Sequence, residues 1–117
     1  MYRRITLLKR RPDMSVQAFR DYYEAHHRRI GEEVLAGHAL RYVRRYVEPI
    51  GDGPLPDFDV VMEIDFADQA AHDRCIAALS QPAVAQRIVE DEAQLFDRDA
   101  ILCFTVEECE SSMTAPR

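Results

Sequence analysis

Between Phe58 and Phe66 the chain alternates without a break: Phe58, Val60, Met62, Ile64 and Phe66 are apolar, and Asp59, Val61, Glu63 and Asp65 stand between them. Successive side chains of a strand point to opposite faces, so this run specifies a strand with one core face and one largely polar face. Such a strand needs a covering layer on one side only. Three further stretches repeat the period. Ile5 and Leu7 alternate with Arg4, Thr6 and Leu8, and Pro12 closes that run. From His38 to Val47, Leu40, Tyr42, Arg44 and Tyr46 oppose Arg41, Val43, Arg45 and Val47. Near the end, Ala100, Leu102, Phe104 and Val106 oppose Ile101, Cys103 and Thr105.

The segments between these strands read differently. Ser15 is a natural N-cap, and Val16, Phe19, Tyr22, Tyr23, His26, Ile30 and Val34 follow at helical spacing until Gly37 stops the helix. Asp68 caps a second helix through Ala71, Cys75, Ile76 and Leu79, and Pro82 restarts it toward Val84, Ile88 and Leu95. The Pro- and Gly-rich run Pro49-Ile-Gly-Asp-Gly-Pro-Leu-Pro56 lies between two strand patterns and reads as a long hairpin loop.

The order is therefore β-α-β-β-α-β, an α+β class in which right-handed crossovers put both helices on one face of a four-stranded antiparallel sheet. A chain of 117 residues is expected to form one domain, residues 1–108, with a flexible tail over 109–117. The other sheet face is left bare. With Leu8, Tyr42, Tyr46, Val61 and Ile101 assigned to it, that face is too apolar for a small monomer, and a homodimer through the uncovered face, enclosing a cavity, is expected.

Composition excludes several classes. A net charge of -6 argues against general nucleic-acid binding, although residues 1–45 hold 11 Lys/Arg against 5 Asp/Glu and the remainder 4 against 16. No apolar run approaches the ~20 residues of a membrane span, and Ile5 to Leu8 is too short for a signal-peptide core. Cys75, Cys103 and Cys109 are odd in number and lack CxxC spacing, so neither a disulfide framework nor a metal site is expected and the setting reads as cytoplasmic. No phosphate loop or nucleophilic triad is visible, and no cofactor is expected.

Phe19-Arg-Asp-Tyr-Tyr-Glu-Ala-His-His27 resembles the helix signature of the EthD-like family, and the likeness extends through Leu40-Arg-Tyr42-Val43, Asp59-Val-Val-Met-Glu63-Ile-Asp-Phe66, Asp91-Glu92 and Phe96-Asp97. It covers residues 3 to 108. The resemblance implies a ferredoxin-like, dimeric α+β barrel, and an oxidoreductase-associated role in catabolism or oxidation of a small hydrophobic organic compound. Two readings stand beside it: a cofactor-free cyclase, decarboxylase or isomerase using a histidine acid-base, and a non-catalytic accessory to an oxygenase system. The chain departs from the family pattern at Tyr46, where many relatives carry a second histidine, and at Asp65, where tryptophan is common.

The resemblance matches His27, whereas helical periodicity puts His26 nearer the apolar stripe. His27 is taken as the catalytic candidate because an imidazole beside a cavity can exchange protons near neutral pH. Asp59 and Glu63, four apart on a strand, share the uncovered face and are candidate proton acceptors, or partners for arginines of the second strand. Tyr23, Tyr42, Tyr46 and His26 complete the expected substrate contacts, and His38 and His72 read as surface residues.

Overall fold

The computed structural model describes residues 1–115. Four strands, β1 (Tyr2–Leu8), β2 (Arg41–Tyr46), β3 (Val60–Phe66) and β4 (Leu102–Thr105), form one sheet in the order β2-β3-β1-β4. Every pairing is antiparallel. The first helical segment runs as α1 (Val16–Tyr22), a π-helical turn (Tyr23–His27) and α2 (Arg28–Leu35); the second as α3 (Gln69–Leu79) and α4 (Pro82–Glu92). This is the βαββαβ arrangement expected from the residue pattern.

The capping residues act as their chemistry dictates. The Ser15 hydroxyl accepts from the Ala18 amide at 3.1 Å and the Asp68 carboxylate from the Ala71 amide at 2.8 Å, each satisfying a donor that a helix start leaves unpaired. Pro82 sits in the first turn of α4, where no amide hydrogen is needed. Gly37 ends the first helical segment at φ +81, a conformation that strains any residue with a Cβ.

Two apolar clusters hold the helices to the sheet. One joins Leu8, Phe19, Tyr23, Val60, Leu95 and Phe96. The other joins Leu35, Ile64, Phe66, Ala71 and Cys75. Complete burial of side chains such as Phe19 and Phe66 contributes about 1.5–3 kcal/mol each, enough to decide which face of each element turns inward.

Face assignment corrects part of the sequence reading. Leu8 is buried in the first cluster, and Tyr42, Tyr46 and Ile101 pack against it from the helix side. Cross-strand partners share a face, so Tyr42 opposite Ile64 and Tyr46 opposite Val60 follow the core residues of β3. The alternation of β2 does not say which of its faces the helices cover; in the fold its hydroxyl and guanidinium heads reach groups on the first helix. Tyr42 bonds the Tyr23 hydroxyl at 3.0 Å, and Arg44 and Tyr46 both donate to Glu24. The Tyr42 ring also lies close against Gly31, where a Cβ would meet it at 2.8 Å.

The uncovered face consequently displays Ile5, Leu7, Val43, Val61, Leu102 and Phe104, with Arg3, Arg41, Arg45, Glu63 and Asp65 among them. Residues 107–115 form no regular structure, and Glu108 pairs with Arg3. The expected tail also includes residues 116 and 117, which lie outside the described residues. No helix among the described residues is long and apolar enough to cross a membrane.

Candidate functional site

A cavity of about 270 Å3 lies between the helices and the sheet, where the two apolar clusters meet. Leu8, Met62, Ile64, Phe66 and Phe96 supply much of its wall, and Arg4, Tyr23, His27, Glu92, Cys75 and Cys103 are the ionisable groups among its lining. Thr6 lines it as well. It reaches the surface beside β4, where Cys103 is exposed.

His27 comes to this cavity through the π turn. An α-helix completes a turn in 3.6 residues, so four residues overshoot by about 40°. The wider π turn removes that overshoot. His27 therefore follows Tyr23 in the same succession of ring contacts that begins at Phe19, with centroids 6.1 and 5.2 Å apart, and Phe19 and Tyr23 are fully buried. The same turn swings His26 outward, where it lies exposed against Tyr22 with ring centroids 4.8 Å apart. Uniform helical spacing favoured His26 because it contained no extra residue in the turn.

The imidazole of His27 is held on three sides. Its ring meets Tyr23 and Phe96 edge to face, at 5.2 and 5.3 Å, and its Nδ1 lies 2.7 Å from Asp91 Oδ2. An ionised carboxylate only accepts, so Nδ1 carries a hydrogen, and in the neutral ring the lone pair is on Nε2, at the opposite edge. Tyr22 donates to the other oxygen of Asp91 at 2.6 Å. Burial, reinforced by that bond to Asp91, pushes the Tyr22 hydroxyl up to about 12, so it stays a donor. Asp91 thus fixes the orientation of the histidine and holds a hydrogen on Nδ1.

Of the other expected site residues, only Tyr23 shares the cavity with His27. Tyr42 and Tyr46 support the first helix, as described above. Asp59 accepts from the Arg10 amide at 2.8 Å and pairs with the Arg10 guanidinium at 3.3 Å, at the edge of a separate groove of about 560 Å3 under the loop between β2 and β3. That groove is wider, but Arg10 with Asp59, Lys9 with Asp57 and Arg20 with Glu48 neutralise one another along it. Glu63 lies on the opposite sheet face, where Arg3, Arg41 and Arg45 bind it. A single site joining His27, Tyr42, Asp59 and Glu63 is therefore not what the fold assembles.

His72 also differs from its expected surface position. Its side chain is 12% exposed, and it packs on Tyr2 and Phe66. Asp91 and Glu92 escaped assignment because 64 residues separate His27 from Asp91, a pairing that no local spacing encodes. Among the described residues there is no cluster of three or more His, Cys, Asp or Glu able to hold a metal ion.

Glu92 has an ionisation that can be tested. Burial raises its carboxyl above the ordinary 4.5, opposed only in part by the charges of Arg98 and His27. The folded state then binds this proton more tightly than the unfolded chain. Its contribution to stability is complete below the ordinary value and fades as pH rises through the raised one. Glu92→Gln is expected to flatten that decline, read from thermal midpoints between about pH 4 and pH 7. Parallel curves for the two proteins would refute the assignment.

A four-stranded antiparallel sheet in the order β2-β3-β1-β4 with its helices on one face defines a ferredoxin-like α+β domain. A family model described as EthD domain matches residues 11–99, and the chain belongs to that family. Solved structures share the fold at low identity. An ethyl tert-butyl ether D (EthD) family protein from Bacillus halodurans is 16% identical, with 93% of this chain and 100% of that one covered at a TM-score of 0.66. A NIPSNAP-like domain protein from Burkholderia xenovorans is 20% identical, covering 98% and 90% at 0.62. A Dabb family protein with a ferredoxin-like fold from Mesorhizobium loti is 14% identical, covering 93% and 97% at 0.56. No curated protein matches significantly.

Proposed function

We propose that this chain is a homodimeric enzyme that moves a proton on a small, mainly apolar organic compound held in the interior cavity. His27 is the base: Nε2 takes a proton from the bound compound and returns it to the product, while Asp91 stabilises the imidazolium that forms between the two events. The observation that carries this reading is the 2.7 Å contact between His27 and Asp91 at the wall of an otherwise largely apolar cavity. The name ethyl tert-butyl ether D borne by the family relative supports a place in the breakdown or oxidation of small organic compounds. Apolar side chains from all four strands on the uncovered sheet face support pairing with a second copy.

Mass spectrometry of small molecules extracted from the purified protein would name the compound. Turnover of that compound is expected to fall at least about 100-fold in His27→Ala, the usual worth of a general base. Size-exclusion chromatography should meanwhile show the dimer intact. Turnover at the native rate would eliminate His27 as the base; binding without turnover by either protein would favour an accessory role.

A further inference from the structure

We propose that the compound held in the cavity is an organic carboxylate, anchored by Arg4 at one end with its reacting group at His27 at the other. The inference rests on the cavity being the functional site and adds the chemistry of its ligand.

Arg4 projects from β1 toward the helices and lines the cavity. Most arginines of this fold are matched to carboxylates, as Arg44 is to Glu24 and Arg3 to Asp65. Among the described residues Arg4 has no such match. Its Nη1 lies 3.0 Å from His72 Nε2, and His72 Nδ1 lies 2.9 Å from Asp73 Oδ1. A guanidinium only donates, so Nε2 of His72 accepts and the hydrogen of that ring is on Nδ1, facing Asp73. His72 is consequently neutral in this arrangement. It orients the guanidinium and leaves the positive charge uncompensated.

Arg4 is partly buried, and its guanidinium offers an unmatched charge to an anion that enters the cavity. The cavity's own carboxyl, Glu92, belongs to the other end: its charge interactions are with Arg98, His27 and Asp91. The two ends are also distinguished by their walls. Arg4 reaches the Cys75 and Phe66 end, touching the latter through His72, whereas His27 packs on Tyr23 and Phe96. Arg4 and Leu8, which belong to these respective ends, lie four residues apart on β1, about 13 Å at strand rise. The arrangement fits a molecule with an apolar body, a carboxylate at Arg4 and its reactive carbon within reach of His27. A guanidinium can grip that carboxylate through two parallel hydrogen bonds.

The test compares benzoate with benzamide and hexanoate with hexanamide, matched in shape and differing in charge, by protein-observed NMR titration of the full chain. Amide shift changes at Arg4, Thr6 and Cys103 would locate binding in the cavity. Each carboxylate is expected to bind at least about tenfold more tightly than its amide, and Arg4→Gln to erase that preference. Far-UV circular dichroism checks that the variant is folded, and Arg4→Lys, which keeps the charge, should recover part of the preference if Arg4→Gln fails to fold. Equal binding of acid and amide, a preference unchanged in Arg4→Gln, or no carboxylate binding in the cavity each overturn the proposal. If turnover still depends on His27 in that event, the anchor falls and proton transfer stands; carboxylate binding with His27-independent turnover gives the reverse.

Discussion

Phe19→Ala is expected to lower the unfolding free energy by about 3–5 kcal/mol, the cost of emptying a fully enclosed aromatic site. The ring has no exposed surface, and its neighbours are themselves aromatic: Phe96 at 5.9 Å, Tyr23 at 6.1 Å and Tyr46 at 6.4 Å between centroids. Edge-to-face packing of this kind adds to the burial term, and rigid rings fill a vacated space poorly. Tyr23 and Phe96 also flank His27, so the damage extends to the proposed base. Urea denaturation of wild type and variant measures the loss. A cost below about 1 kcal/mol would mean that the cluster collapses onto the gap.

Glu63→Ala should cost about 2–4 kcal/mol, because it strips a buried anion from three guanidinium groups. Glu63 lies 3.0 Å from Arg3, 3.2 Å from Arg41 and 3.0 Å from Arg45, and its side chain is 5% exposed. Arg41 and Arg45 are about half exposed and can turn to water, which keeps the estimate below the upper range for buried pairs. Arg3 keeps Asp65 at 2.8 Å. The same denaturation experiment decides the matter at low and at high salt. A loss that vanishes at high salt would assign the cost to repulsion among the arginines; no loss at low salt would show that the cage contributes nothing.

The architecture was legible because each element carries its own local instructions. The alternation through β3, the Ser15 and Asp68 caps and Pro82 at the start of α4 are all choices made within a few residues. Which face of β2 turns inward depends instead on where polar heads find partners. Tyr42, Arg44 and Tyr46 face the helices because Tyr23 and Glu24 receive them, and both acceptors lie in the π turn. The candidate site was half legible for the same reason. The family likeness selected His27, but Asp91 meets it only after the second helical unit folds back, and Arg4 acquires its significance from a neutral His72 on α3.

The π turn gives the first helix two phases along one axis. Residues before Tyr23 are angularly indexed to the packing beneath the loop, and those after His27 to the contacts of α2 with β2, with the offset taken up between them. The helix thus behaves as a vernier. Its two halves answer separate packing demands, and the turn between them sets the bearing of the histidine on the cavity.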